Sequence, residues 1–147
     1  MSLYYDSGVL VNLYVREQMS DAVTAFVARR GEAITVNGLH ELEIRNALRL
    51  KRFRSELDAE QLAASMAMLA GDIARRRLIR GTFDWRLVRE EAERLSGTAS
   101  TTVGTRTIDL LHVAAALSQG VTGLVSFDRR QCAAARLAGL EVVEPVA

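Results

Sequence analysis

Short apolar runs alternate with longer amphipathic stretches along this chain, and that alternation predicts an α/β fold with a mostly parallel central sheet flanked by helices. Residues 3–6 read as a buried strand closed by Ser7-Gly8, with a short helix over residues 9–15. Ser20 and Asp21 precede a helical pattern over residues 22–30 that Gly31 ends. Residues 33–36 form a second apolar run, followed by Asn37-Gly38 and a helix to about Phe53. Ser55-Glu56-Leu57-Asp58 looks like a capping signal for a long helix to about Arg77. A third strand over residues 78–83 gives way to a helix over residues 85–96, capped by Asp84. Residues 97–106 are rich in Gly, Ser and Thr and predict a loop, after which Thr107 would cap a helix over residues 108–118. A strand at 123–127, a helix at 129–137 and a last strand at 140–143 complete the chain. No repeat or linker divides it, so one domain over residues 1–147 is expected.

Four acids interrupt this pattern. Asp6 and Asp128 each end an apolar strand and precede a helix. In open α/β sheets ligands gather at such strand ends, although Asp is also a common helix cap. Glu43 falls on a helical stripe with Leu39, Ala47 and Leu50, where a cap cannot explain it and a buried pair with an arginine could. Its neighbour Glu41 needs no such explanation, since Arg45 lies four residues on. Asp109 opens a helix whose first ten residues hold one other polar side chain, His112. The helix dipole alone would favour a carboxylate there, and His112 reads as a hydrogen-bonded core residue. If folding brings the four carboxylates together they repel unless a divalent cation sits between them. Hard oxygen ligands suit Mg²⁺ or Mn²⁺, and such ions commonly serve phosphodiester hydrolysis, so the acids point to a metal-dependent nuclease.

Composition narrows the alternatives without choosing among them. With 49% apolar and 25% charged residues the chain is that of an ordinary globular protein, and no apolar run nears the roughly 18–20 residues that span a bilayer. The opening residues carry no signal-peptide pattern, and one cysteine, Cys132, fits a reducing cytoplasm. Net charge is only +1, yet every basic residue except Lys51 is arginine, the side chain suited to bidentate phosphate contacts. Arg45, Arg49, Lys51, Arg52 and Arg54 on one helix, and Arg106, Arg129 and Arg130 near the acids, are candidates for a phosphate backbone; a solvated helix face is the plainer account of residues 49–54. Trp85 reads as a core anchor.

Tyr4-Tyr5-Asp6-Ser7-Gly8-Val9-Leu10-Val11 resembles the opening of PIN-domain ribonucleases, where an apolar pair precedes Asp and Ser or Thr. His40-Glu41-Leu42-Glu43-Ile44-Arg45-Asn46-Ala47-Leu48 resembles the second motif of that family, Asp109-Leu110-Leu111-His112-Val113-Ala114 the third, and Ser126-Phe127-Asp128-Arg129-Arg130 with Ala133-Ala134-Ala135 the fourth. Order and spacing agree over about residues 3–143, most closely with the stand-alone VapC-type toxins of bacterial toxin–antitoxin pairs. The resemblance implies Mg²⁺- or Mn²⁺-dependent RNA cleavage, a homodimer, and inhibition by a small cognate antitoxin. It places Asp6, Glu43, Asp109 and Asp128 as metal ligands and catalytic acids. On chemistry, Asp6 and Asp109 are expected to hold the cation foremost, and Ser7, Ser126 and Arg129, by their position next to the acids, are expected beside the substrate. Two other classes remain: a PIN-like domain that only binds partners, and a phosphoacceptor signalling domain. The second would place a lysine at a late strand end, whereas Lys51 lies within a helical segment.

Overall fold

The computed structural model describes residues 1–146, which form two compact units, Met1–Asp6 with Thr82–Glu144, and Ser7–Gly81 with residues 145 and 146. The chain order is β1 (Leu3–Tyr5), α1 (Ser7–Val11), α2 (Ser20–Arg30), β2 (Ile34–Val36), α3 (Gly38–Phe53), α4 (Ala59–Ala74), β3 (Leu78–Arg80), α5 (Trp85–Val103), α6 (Thr107–Ser118), β4 (Gly123–Val125), α7 (Arg129–Leu137) and β5 (Glu141–Val143). The strand pairs are parallel and the fold is α/β, as the alternating pattern predicts. The strands lie in a three-stranded sheet within the first unit and a two-stranded one within the second.

In the first unit β4 is the middle strand, with β1 and β5 on either side. Its register pairs Tyr5 with Val125 and Val125 with Val143, so the strand ends align. β4 is buried throughout, which is why it reads as an unbroken apolar run rather than an alternating one. Gly123 suits the close approach there: a Cβ would come within 2.8 Å of the Leu3 side-chain tip, which would have to shift, and within 3.2 Å of the Glu141 carbonyl. Tyr4, Leu124, Val113, Ala114, Ala134 and Leu95 form the centre of this unit's core, where α5, α6 and α7 pack on one another.

In the second unit β2 pairs with β3, and α3 packs against α1 and α4. A capping box opens α3: the Asn37 side chain accepts from the N–H groups of Leu39 and His40, and His40 Nδ1 accepts from Asn37 N–H. The buried stripe of α3 is Leu39, His40, Ile44 and Leu48. That phase differs from the one expected, for Leu50 is 40% exposed and Glu43 sits half-buried at the margin of the stripe.

Three further expectations are corrected by local chemistry. Residues 97–103 continue α5 instead of forming a loop. Ala99 is buried on the core face, and Thr98 and Thr101 donate to carbonyls three and four residues back, so these polar residues are held within the helix. Gly104, at φ 70°, ends it. Thr107 does not cap α6 but is its first residue, with Arg106 at the cap position making no capping bond. Trp85 is half exposed and leans on Phe83, with ring centroids 4.5 Å apart, rather than anchoring the core.

Candidate active site

Three of the four acids belong to the first unit, and the strand register explains two of them. The N–H of Asp6 donates to the Val125 carbonyl at 2.9 Å, continuing the β1–β4 ladder by one residue. The N–H of Ser126 donates to the Val143 carbonyl at 3.3 Å, so the next residues leave the sheet beside Asp6. Asp128 then caps α7, its Oδ1 accepting from the Gln131 N–H at 2.8 Å. The cap reading of Asp128 is therefore met, and it leaves Oδ2 for other work.

Asp109 lies in the first turn of α6, where the helix N-terminus favours negative charge. Arg106 Nε donates to Asp109 Oδ2 at 3.2 Å, and Arg106 Nη2 lies 3.9 Å from Asp128 Oδ2. One guanidinium, on a side chain that is 72% exposed, thus serves two aspartates from different helices. Burial pushes the Asp109 carboxyl above its ordinary range; the Arg106 hydrogen bond opposes this and the charge of Asp128 adds to it. A carboxylate in that condition is one that a cation would stabilise.

Asp6 is tied to the same network by an uncharged residue that sequence reasoning did not single out. Gln131, fully buried, donates from Nε2 to Asp6 Oδ1 at 3.0 Å and accepts at Oε1 from Ser126 Oγ at 2.6 Å. Ser126 Oγ also accepts from the Asp128 N–H at 3.1 Å. Ser126 is itself fully buried, so it supports the acids from within. His112 is buried as expected, sharing a 2.8 Å hydrogen bond through Nδ1 with the Tyr4 hydroxyl, while Nε2 lies 4.0 Å from Asp6 Oδ1. Arg129 is exposed at the start of α7.

Glu43 belongs to the second unit, where Ser7 Oγ donates to its Oε1 at 3.0 Å. The residue that follows Asp6 in the chain is thus the one holding Glu43. Glu41 pairs with Arg45 at 3.1 Å, as expected, and also takes a two-pronged contact from Arg80 at 2.8 and 3.0 Å. Lys51 is held between Glu17 at 2.7 Å and Glu56 at 3.1 Å.

The oxygen donors and the strained charge of Asp109 fit a hard divalent cation. They are not drawn together into a finished cage: among the described residues, no group of three or more Asp, Glu, His or Cys side chains is placed to hold a metal ion. Nor is any helix among them long and apolar enough to cross a membrane.

Comparison with known proteins agrees with the motif order. The PIN domain family model matches residues 3–137. The crystal structure of FitAcB from Neisseria gonorrhoeae matches with a TM-score of 0.66 over 97% of each chain at 15% identity, a likeness of fold. No curated protein matches the chain significantly.

Proposed function

This chain belongs to the PIN-domain family, and on that footing we propose that it is a Mg²⁺- or Mn²⁺-dependent endoribonuclease acting as the VapC-type toxin of a toxin–antitoxin pair. The observation that carries the reading is the linkage of Asp6, Asp109 and Asp128 through Arg106 and Gln131 at the carboxyl ends of β1 and β4. Asp6 and Asp109 would hold the cation, with Asp128 Oδ2 as the third oxygen. The chemistry supplied by a bound cation is Lewis-acid polarisation of a phosphate oxygen and neutralisation of charge during in-line displacement.

The chain's own groups do the rest. Arg106 is exposed enough to turn from Asp109 towards an incoming phosphate, where its planar fork gives paired hydrogen bonds. Arg129 offers a second guanidinium at the same helix start. His112 and Tyr4, both buried and hydrogen-bonded to each other, pack beside Asp6 Oδ1. Glu43, held by Ser7, is assigned a supporting role.

The partner surfaces are assigned to the second unit. A groove of about 760 Å³ is lined by Leu13, Val27, Ala28, Ile34 and Met68, with Arg75, Arg76 and Arg77 and the acids Glu32 and Asp72 also on its wall, Asp72 pairing with Arg77 at 3.4 Å. Its aliphatic wall is assigned to an apolar antitoxin segment. The exposed Leu42, Leu50 and Phe53 along α3 are assigned to a homodimer contact. A cytoplasmic location goes with an RNA substrate.

The test is cleavage of labelled single-stranded RNA in EDTA, with Mg²⁺ or Mn²⁺ restored, and by the Asp6→Asn and Asp109→Asn variants. The reading requires that cleavage stop in EDTA, return with the cation, and be absent in both folded variants. Undiminished cleavage in EDTA or by either variant removes it.

A further inference from the structure

We propose that Gln131 is a positioning residue whose side chain sets the orientation of the Asp6 carboxylate for cation binding, an inference that rests on the nuclease reading above. A glutamine in the first turn of a helix beginning Arg129-Arg130 would ordinarily face solvent. This one is fully buried, and its amide and backbone join both strand-end acids.

The direction of each hydrogen bond is forced. Only the nitrogen side of the amide can approach a carboxylate oxygen at 3.0 Å, so Nε2 faces Asp6 and Oε1 faces Ser126. Oε1 is an acceptor, so the Ser126 hydroxyl must donate to it, and the Ser126 oxygen accepts from the Asp128 N–H. The Gln131 N–H in turn donates to Asp128 Oδ1. The ring Asp128–Ser126–Gln131 is therefore closed, and an amide N–H points outward from it at Asp6. Two of these four bonds hold the amide itself, and the amide holds one oxygen of Asp6.

A neutral donor suits this position. A lysine or arginine there would neutralise Asp6 and compete with a divalent ion, whereas an amide orients the carboxylate and leaves its charge intact. Residues that orient metal ligands in this way change metal affinity or activity by roughly 10–100-fold when removed.

The test compares wild type with Gln131→Met, which keeps the length of the side chain and loses its hydrogen bonds. Three quantities are read: Mn²⁺ affinity by calorimetry without RNA, kcat and KM for RNA at saturating Mn²⁺, and the melting temperature in EDTA. Gln131→Met is expected to weaken Mn²⁺ binding about 10–100-fold and lower kcat, with KM for RNA within about twofold of wild type. Mn²⁺ affinity and kcat within twofold of wild type, whatever the melting temperature, would overturn the proposal. If Gln131→Met fails to fold, Ser126→Ala is decisive: it frees the amide to turn and should weaken Mn²⁺ binding in the same direction. Unchanged binding in a folded Ser126→Ala protein overturns the proposal. Where both variants fold, the double variant should bind Mn²⁺ no more weakly than Gln131→Met alone, and full additivity would show that the two do not act as one chain. A wild-type protein that binds no Mn²⁺ overturns the nuclease reading first, and this inference with it; a wild type that binds Mn²⁺ beside an unaffected variant overturns this inference alone.

Discussion

Replacing Arg106 with glutamine should destabilise the metal-free protein and strengthen its hold on Mg²⁺ at the same time. Arg106 lies 3.2 Å from Asp109 and 3.9 Å from Asp128, so it is the fixed positive charge that offsets their mutual repulsion. Two unit charges about 4 Å apart interact by about 1 kcal/mol in water and about 4 kcal/mol at an effective dielectric near 20. With the Arg106 side chain 72% exposed, screening and side-chain entropy hold the contribution near the lower figure, about 1 kcal/mol. For a chain of this size that loss lowers Tm by about 2–4 °C. The same quantity appears with opposite sign when Mg²⁺ binds, because the cation no longer displaces a guanidinium; about 1 kcal/mol is about fivefold in Kd. The assay is calorimetric titration of Mg²⁺ into wild type and Arg106→Gln at low ionic strength, with thermal melts in EDTA. Raising the salt should shrink the difference. Weaker Mg²⁺ binding by the variant, or an unchanged Tm together with unchanged affinity, would refute the view of Arg106 as an internal counter-ion.

Asp109→Asn should abolish cleavage yet raise metal-free stability at neutral pH. Burial lifts this carboxyl's folded pKa above its unfolded value, so ionisation costs native stability: the cost is absent below the ordinary carboxylate range and complete above the raised value, and asparagine removes it in pH-dependent melts. Glu41→Gln should behave oppositely. Arg80 and then Arg45 hold Glu41 below the usual range, so its contribution is present above the ordinary glutamate pKa and lost as pH falls through the depressed one; melts across that acid window should show the wild-type advantage vanish. At the proposed homodimer contact, Phe53→Ser should lower the mass seen in light scattering and, because association stabilises the folded chains, lower Tm in a concentration-dependent way. Substrate KM should rise with salt, and the Arg129→Gln variant should flatten that slope.

Much of this arrangement is legible in the chain because it depends on strand ends. An apolar run that stops at an acid, twice, places Asp6 and Asp128 at adjacent ends of paired parallel strands once the register Tyr5–Val125 is made. Asp109 is legible for a related reason, as a charge opening a helix too apolar to lie on the surface. The stripe that singles out Glu43 in the sequence has the wrong phase: His40, Ile44 and Leu48 are the buried line, but His40 serves in a capping box and does not read as apolar. Gln131 escaped notice although the same signal was there. It shares a helical face with Ala134 and Ala135, both buried, so it is a polar residue on an apolar stripe as Glu43 is. Residues 97–103 misled because Ser and Thr weaken helices locally, whereas here their hydroxyls return to the helix's own carbonyls and packing of α5 against α6 decides. The engagement of Lys51 by Glu17 and Glu56 depends on contacts between separate segments that no local pattern encodes.

The claim underlying the whole account is that Asp6, Asp109 and Asp128 hold one divalent cation. Crystals grown with Mn²⁺ and measured at the manganese absorption edge test it most directly. The account predicts an anomalous peak within coordinating distance of oxygens from Asp6 and Asp109. A peak elsewhere, or none at saturating Mn²⁺ with Arg106 still bridging Asp109 and Asp128, would contradict it.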